Sequence, residues 1–391
     1  MPLQERERKS LFHTYKRIPL EIDRGDGVYL YTKDGKRYLD FFGGLAVNAL
    51  GYGHPKILKA IQEQISKYIH LSNYYLQEPQ IRLAEQLVKY SGYQKVFFSN
   101  SGTEAIEGAI KIARKWGTTD GKTEIISFTN AFHGRTLGAL SLMDRKKYRE
   151  GFEPLLKNCR MIKYNDTVEL NNTINRNTSA VILEFIQGEG GIISASTDFI
   201  SSIKSLREKF GFIIIADEIQ SGLGRTGKLF GFQHYGIDPD IVVVAKALGG
   251  GLPLGAILGN SKTCDVLNSG MHGSTFGGNP VACAAGLVVI DEIINNGVMM
   301  NAKAIGKIIS SDFIRLMEKF PSIVKDVRGK GLMLGMELHF EGDKIVDALR
   351  DRNVLINCTN GNVLRFLPPL IINESHAQEL IKQLEEVFRS L

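Results

Sequence analysis

Two residues, Lys246 and Asp217, occupy the positions where the sequence most clearly predicts chemistry. Each directly follows an apolar run rich in β-branched residues, at 241–245 and 212–216. A lysine at the end of a buried strand is costly to keep as an ammonium, so its pKa should be lowered. Such an amine can form a Schiff base with a carbonyl compound. Asp217 would be poorly solvated and should face a cation or a protonated nitrogen; a purely structural Lys–Asp ion pair is the alternative.

The segment 99–105 is a candidate anion site. It follows the apolar run 95–98 and opens a helical pattern. Small residues and free backbone N–H groups at the start of a helix bind phosphate, which singles out Ser101, Gly102 and Thr103. A simple N-cap by Ser101 or Thr103 is the alternative explanation.

The segment 222–227 matches the dinucleotide-binding pattern GxGxxG but lacks its context. That pattern requires a strand directly before it, a helix directly after it and an acidic residue about 20 residues later. Here four residues separate the first glycine from Asp217, where the preceding strand-like run ends, and no clear helical pattern follows. We therefore do not expect a nicotinamide dinucleotide to bind.

The elements that must position these residues form an alternating pattern between residues 95 and 245. Short apolar runs alternate with helical patterns such as 103–116 and 197–210. The pattern predicts an α/β fold in which a mostly parallel sheet lies between helices. Ligands bind beyond the carboxyl ends of the strands in such a sheet, and the candidate residues follow those ends. The runs predicted as buried strands are 95–98, 123–128, 180–184, 212–217 and 241–245.

The rest of the chain predicts a smaller α+β domain. The first 60 residues read as irregular, with a hairpin whose turn is Asp34-Gly35. We predict an N-terminal segment (1–60) that joins the small domain, a large cofactor-binding domain (61–285) and a small C-terminal domain (286–391). Further helices are predicted at 56–69, 79–90, about 280–296, 300–319 and 374–390, with a strand at 333–338.

Composition excludes several classes of function. The net charge is +6, but acidic and basic residues are interspersed and no basic patch with a nucleic-acid-binding motif is visible. Four scattered cysteines without a CxxC pair suggest neither zinc nor a redox pair, so we expect no metal. The N-terminus does not resemble a signal peptide, and no apolar run approaches ~18 residues. We expect a cytoplasmic protein that binds neither nucleic acid nor membranes.

Five ordered segments together resemble the class III aminotransferases. This resemblance extends over nearly the whole chain and implies the fold-type-I architecture of pyridoxal-phosphate enzymes, with the large and small domains described above. The five segments are 98–105, 131–136, 217–227, 245–251 and 272–280.

The resemblance implies roles around the cofactor, pyridoxal 5'-phosphate. Lys246 would hold it as a Schiff base and later act as general acid and base. Asp217 would keep the pyridinium nitrogen protonated, which makes the ring an electron sink. The remaining residues would contact the phosphate or the ring, with Thr275 reaching across from the partner subunit of a homodimer with shared active sites. They are Ser101, Gly102, Thr103, Phe132, Gln220 and Thr275.

The resemblance also implies how substrates bind. Arg135 is the candidate for an α-carboxylate by bidentate pairing, and Ser274 is a weaker candidate contact. Arg365 resembles the arginine that holds the carboxylate of glutamate, and Glu189 resembles the acidic group that pairs with it while an amine donor is bound. His133 is interpreted as structural. One departure from the family is Phe185, which stands where proline is frequent and could reshape the pocket floor.

The implied reaction is ping-pong transamination between an amino donor and 2-oxoglutarate. The compact length and the segments 46–51 and 364–370 resemble the members that act on N2-acetyl-L-ornithine in arginine biosynthesis. Alternative donors are succinylornithine, ornithine, 4-aminobutyrate and acylated lysine or diaminopimelate precursors. Two further hypotheses are an aminomutase on the same fold, which needs no 2-oxo acid, and a non-catalytic binding protein.

Overall fold

The computed structural model describes residues 3–391, along which strands and helices alternate. The strands are β1 (Ile22–Asp26), β2 (Tyr29–Thr32), β3 (Arg37–Asp40), β4 (Lys95–Ser99), β5 (Glu124–Phe128), β6 (Cys159–Ile162), β7 (Thr178–Leu183), β8 (Ile186–Gln187), β9 (Ile193–Ser194), β10 (Ile213–Asp217), β11 (Ile241–Val244), β12 (Gly255–Gly259), β13 (Val324–Lys330), β14 (Met333–Leu338), β15 (Val354–Leu355), β16 (Asn357–Thr359) and β17 (Val363–Phe366). The α-helices are α1 (Leu3–Ser10), α2 (Gly43–Ala46), α3 (Pro55–Ile65), α4 (Glu78–Ser91), α5 (Gly102–Thr118), α6 (Leu137–Leu140), α7 (Lys146–Arg149), α8 (Thr167–Thr173), α9 (Thr197–Phe210), α10 (Pro280–Ile294), α11 (Val298–Lys319), α12 (Asp343–Asp351) and α13 (Glu374–Arg389).

The large sheet has the strand order β4-β12-β11-β10-β7-β5-β6. All of its strands are parallel except β12, which is antiparallel to both of its neighbours. The five predicted apolar runs are all strands of this sheet, so the predicted mostly parallel sheet is confirmed. β12 was not predicted, because a five-residue run bounded by glycines carries little strand signal.

Helices cover both faces of the large sheet, as its doubly buried strands require. On one face, α5 packs against β7, β11 and β12. On the other face, Phe199, Ile200 and Ile203 of α9 belong to the same apolar cluster as Val181 of β7 and Ile214 of β10. The strand β10 is buried along its whole length. The carboxyl ends of β4, β10 and β11 therefore meet at a rigid edge.

Two smaller sheets involve the C-terminal part of the chain. Strands β13, β14, β17 and β16 form an antiparallel sheet, against which α11 packs. Strand β3 pairs in parallel with β15, so the N-terminal hairpin joins the C-terminal residues in one sheet. This pairing supports the proposed grouping of 1–60 with the small domain, whose exact boundaries stay a prediction.

The long predicted helices and the strand β14 are present, with ends that differ by a few residues. The N-terminal region is more regular than expected, because it also contains the exposed helix α1 and the strand β1. Within residues 3–391, no single helix meets the length and hydropathy expected of a membrane span. Only α10 and α11 taken together do so, and they are bent by 58°.

Candidate active site

A cavity of about 430 Å³ opens at the carboxyl ends of β4, β10 and β11. The loops after these strands supply its walls, which agrees with the rule for parallel sheets. Nine of the twelve residues predicted for the site line this cavity directly: Ser101, Gly102, Thr103, Phe132, Arg135, Glu189, Asp217, Gln220 and Lys246.

Lys246 is the first residue of the 3-10 helix Lys246–Gly249, directly after β11. Its φ is 49°, a strained value for a residue with a side chain, and such strain is frequent at functional sites. Burial, together with the positive charge of Arg365, lowers the pKa of Lys246 to about 8. This agrees with the lowered pKa predicted from its position at the end of a strand.

Asp217 ends β10 as a buried carboxylate that binds His133 rather than Lys246. The Nδ1 of His133 lies 2.7 Å from Oδ2 of Asp217, and the N–H of Ile219 donates to Oδ1 at 3.1 Å. Burial by itself lowers the pKa of His133, but the hydrogen bond and charge of Asp217 outweigh it, so the pKa is raised. Each carboxylate oxygen keeps acceptor capacity for a further donor in the cavity.

Glu184 is a cavity residue that the sequence analysis missed. Its side chain accepts the N–H of Phe132 at 2.9 Å and the N–H of Gly188 at 3.0 Å, so it joins two loops of the site. Burial raises the pKa of Glu184 to about 7, and the charge of Asp217 adds to this rise. The signal was the same as for Asp217, because Glu184 follows the fully buried strand β7.

The start of α5 forms one end of the cavity. Ser101 is the N-cap, and its hydroxyl accepts the N–H of Glu104 at 3.3 Å. The backbone N–H groups of Gly102 and Thr103 lie in the first turn, where the helix itself supplies no acceptor. A Cβ on Gly102 would lie 2.7 Å from Cδ1 of Ile219, so any larger residue here would require that side chain to shift. The hydroxyl of Thr103 accepts the N–H of Arg135 at 3.2 Å.

Phe132 and Gln220 face the cavity from opposite loops. The ring of Phe132 is partly buried, and its backbone is fixed by Glu184. Gln220 is buried, and its Oε1 has no hydrogen-bond partner within the described part of the chain, residues 3–391. A buried polar atom without a partner is costly and points to a missing ligand.

Arg135 and Glu189 are charged residues of the cavity wall, and Arg365 lies directly behind Glu189. Arg135 is exposed, and its guanidinium lies 3.7 Å from the ring centroid of Tyr148. Arg365, on β17, is buried and donates to Oε1 of Glu189 at 2.5 Å. Burial raises the pKa of Glu189, but the charge and hydrogen bond of Arg365 prevail and lower it. The predicted pairing of these two residues is therefore present, although Arg365 itself lies behind Glu189.

Ser274 and Thr275 do not line the cavity of Lys246. Ser274 lies one residue behind it, since its hydroxyl accepts from Nδ2 of Asn100 at 3.1 Å and Asn100 is in the wall. Thr275 is exposed in a second, open cavity of about 1070 Å³, which Tyr74 and Met271 also line. The predicted contact of Thr275 with the phosphate of a partner subunit's site stays a prediction.

Val47 reaches the cavity from the end of α2, whose backbone is left-handed rather than a regular α-helix, and the sequence analysis did not identify it. Residues 43–46 all have positive φ between 58° and 66°, which is rare for a run that includes Leu45 and Ala46. A Cβ on Gly43 would lie 2.4 Å from the carbonyl oxygen of Leu367. Phe185 does not itself line the cavity, because it is fully buried against Phe232 and Tyr235. It directly follows the cavity residue Glu184, so the suggestion that it reshapes the pocket floor stays a prediction.

The residues around Lys246 fit pyridoxal phosphate. The first turn of α5 offers N–H groups for a phosphate. Asp217 offers a buried carboxylate for a protonated ring nitrogen, and the amide of Gln220, whose Oε1 has no partner among residues 3–391, is available for a contact with the ring. The amine of Lys246, whose pKa is about 8, suits attack on an aldehyde.

Known proteins resemble the chain over almost its whole length. The family model described as aminotransferase class-III matches residues 11–388. The chain is 45% identical to an acetylornithine aminotransferase of Methanocaldococcus jannaschii, with 98% of this chain and 97% of the relative covered. It is similar to the crystal structure of acetylornithine aminotransferase from Elizabethkingia anophelis (33% identity, TM-score 0.89, 99% and 98% covered). It is also similar to ornithine aminotransferase from Toxoplasma gondii with PLP at partial occupancy (29% identity, TM-score 0.94, 99% and 94% covered).

Proposed function

Because the chain belongs to the class III aminotransferases, we propose that it transfers the δ-amino group of N2-acetyl-L-ornithine to 2-oxoglutarate. The products are N-acetyl-L-glutamate 5-semialdehyde and L-glutamate, and the biosynthetic direction serves arginine synthesis. Acetylornithine aminotransferases at 43–45% identity over nearly the full chain support this donor.

Bound pyridoxal phosphate supplies the aldehyde that takes up the amino group and the ring that withdraws electrons from the substrate carbon. Lys246 holds the group and then moves a proton to and from the carbon that carried the amine. Its pKa of about 8 makes both protonation states accessible near neutral pH. Asp217 would offer its carboxylate to the ring nitrogen of the bound group, and His133 fixes the orientation of that carboxylate.

The observation that carries the substrate assignment is the charge arrangement in the outer cavity. Arg135 offers a fork of N–H donors to the carboxylate of the donor. While Glu189 binds Arg365, the pocket presents little net charge to the amine end of the donor. When Glu189 swings away, Arg365 is free to bind a carboxylate of 2-oxoglutarate. One pocket thus serves two substrates of different charge.

A homodimer with shared active sites is part of the proposal. The segments 69–76 and 271–277 lie together, since Nδ2 of Asn73 donates to the carbonyl oxygens of Ser274 and Gly277, each at 3.0 Å. They expose large apolar side chains beside Thr275, which a partner subunit would cover. The exposed side chains are Ile69, Tyr74, Tyr75, Leu76, Met271 and Phe276.

Subunit complementation tests this arrangement. Lys246→Ala and Thr275→Ala chains are purified separately and then mixed. Mixed dimers regain activity if each site uses Thr275 of the partner subunit, because one of the two sites then contains both native residues. A single-chain mass in solution, or no recovery on mixing, contradicts shared sites.

A panel of amine donors tests the reaction itself. The purified enzyme should show a visible absorbance band of the bound cofactor, which Lys246→Ala abolishes. N2-acetyl-L-ornithine should bleach this band faster than succinylornithine, ornithine or 4-aminobutyrate, and 2-oxoglutarate should restore it. If another donor bleaches the band faster, that donor replaces N2-acetyl-L-ornithine as the proposed substrate. Turnover without any 2-oxo acid would instead identify an aminomutase.

A further inference from the structure

We propose that Tyr148 is a positioning residue that fixes the guanidinium of Arg135 for the carboxylate of the amino donor. This inference rests on the proposed function, in which Arg135 binds that carboxylate. The proposal gives the short helix α7, which contains Tyr148, a part in substrate selection. The sequence alone does not indicate this part, since α7 lies outside the five segments that carry the family resemblance.

Arg135 has few other contacts that could hold it. Its guanidinium carbon lies 3.7 Å from the ring centroid of Tyr148 and 5.4 Å from that of Phe132. These two rings meet edge to face at 6.1 Å, with an interplanar angle of 86°. Among residues 3–391, no carboxylate pairs with Arg135 and no side-chain hydrogen bond orients it. The ring of Tyr148 therefore fixes the guanidinium while leaving its N–H groups free for a ligand.

Tyr148 is itself held in place. Nη1 of Arg145 donates to the hydroxyl of Tyr148 at 3.3 Å, and Nη2 of Arg145 donates to the carbonyl oxygen of Glu189. The same carbonyl oxygen accepts from the hydroxyl of Thr359 at 2.7 Å. Arg135 is thus connected, through one ring and one arginine, to the backbone of the residue that pairs with Arg365.

The arrangement predicts an effect on one class of substrate only. A donor that carries an α-carboxylate uses the oriented guanidinium, whereas a donor without that carboxylate does not. N2-acetyl-L-ornithine and N-acetylputrescine differ by this carboxylate alone, so they form a matched pair. Ornithine and putrescine form a second such pair.

The experiment compares wild type with Tyr148→Leu and Tyr148→Phe on both donor pairs. Tyr148→Leu removes the ring face and should raise KM for N2-acetyl-L-ornithine about two- to fivefold, the range of a cation–π contact at an exposed site. The kcat of this variant for N2-acetyl-L-ornithine should match that of wild type, and so should its kcat/KM for N-acetylputrescine. Tyr148→Phe keeps the ring face and its edge-to-face contact with Phe132, and loses only the long 3.3 Å hydrogen bond from Arg145, so it should retain the wild-type KM.

A binding measurement separates positioning from turnover. N-acetyl-L-norvaline keeps the carboxylate but has no amine to react, and its calorimetric dissociation constant should rise about two- to fivefold in Tyr148→Leu only. Equal losses on both members of each donor pair would show general damage to the site. If Tyr148→Phe weakens the binding of N-acetyl-L-norvaline as much as Tyr148→Leu does, the hydroxyl and not the ring face causes the effect. Either result overturns the proposal.

The outcome is distinguishable from failure of the proposed function. If N2-acetyl-L-ornithine is not a substrate of wild type, the proposed donor fails, while the ornithine and putrescine pair and the norvaline measurement still report on the ring. Because Tyr148 is partly buried, the melting temperatures of both variants are also measured. Values equal to that of wild type exclude unfolding as the cause.

Discussion

The cavity has two walls that are built in different ways. The sheet wall contains Asp217, Lys246 and the start of α5, which the buried strands β10 and β11 and the helix cap hold rigidly. The loop wall contains Arg135 and the Glu189–Arg365 pair, which depend on loops and on a strand of a separate sheet. The difference suggests that the chemistry is fixed by the core of the fold, while the choice of substrate lies in parts that can move or change.

The largest expected effect concerns the sheet wall. Asp217→Asn keeps the shape of the side chain but removes its negative charge beside the ring nitrogen. We expect kcat to fall by roughly 10²- to 10³-fold for every donor alike, as for loss of other preorganised charges in active sites. Steady-state kinetics with two donors measure this loss.

Glu218→Gln is the matched control for that substitution. Glu218 is the neighbouring buried carboxyl group, but it binds Ser221, Gly231 and Phe232 outside the cavity. Burial raises the pKa of Glu218 to about 7. Its kcat should stay close to that of wild type. If Asp217→Asn lowers kcat much more for one donor than for another, the sheet wall also affects the choice of substrate, and the proposed division of roles is contradicted.

The next effect concerns the loop wall. Glu189→Gln removes the counter-charge of Arg365. The uncompensated positive charge then disfavours the amine donor and favours dicarboxylates throughout the cycle. The ratio of kcat/KM for N2-acetyl-L-ornithine to that for 2-oxoglutarate should fall about tenfold or more, because truncating one partner of a buried charge pair is costly.

Glu385→Gln serves as its control. Glu385 also forms an ion pair, with Lys319 at 2.6 Å, but on the exposed face of α13. The ratio of the two specificity constants should be unchanged in this variant. If Glu189→Gln lowers both constants equally, Glu189 does not discriminate between the substrates and the division into two walls fails.

A pH measurement tests whether the amine of the sheet wall is buried as described. Only the neutral amine of Lys246 attacks an aldehyde, and its pKa is lowered to about 8. The rate at which apoenzyme recombines with pyridoxal phosphate should therefore rise about tenfold per pH unit below pH 8 and level off above it.

A free lysine derivative reacting with the same aldehyde is the reference, because dividing by its rate removes the titration of the cofactor. The quotient should be level below pH 8 and fall about tenfold per pH unit between about pH 8 and pH 10, since only the reference amine still titrates there. An unperturbed lysine has a pKa near 10.4. The absolute rate on the enzyme would then keep rising well above pH 8, and the lowered pKa would be refuted.

The two walls also differ in how far the sequence predicted them. Asp217 and Lys246 follow uninterrupted apolar runs, so the positions of strand ends were enough to predict both. Glu184 was open to the same reasoning and was overlooked. In contrast, Arg365 and Glu189 are 176 residues apart, and no local pattern joins them. Their pairing was predicted only through a family resemblance.

Conformation explains the remaining omissions. Val47 follows four consecutive residues with positive φ, which direct the chain toward the cavity. A sequence pattern can predict a single positive φ at a glycine, but it does not predict such a run. The strand β12 and the ring of Tyr148 depend on tertiary neighbours, since neither the short run nor the short helix has a clear periodic signal.

The smallest expected effect sharpens the description of the sheet wall at the start of α5. Ser101 and Ser196 are N-caps of similar geometry, whose hydroxyls accept the N–H of Glu104 at 3.3 Å and of Phe199 at 3.2 Å. Each serine-to-alanine variant of the apoenzyme should lose about 1 kcal/mol of unfolding free energy in chemical denaturation. Only Ser101 lines the cavity, so only Ser101→Ala should also gain less stability than wild type when pyridoxal phosphate is added. Equal gains in both variants would limit Ser101 to capping and leave the phosphate to the backbone N–H groups.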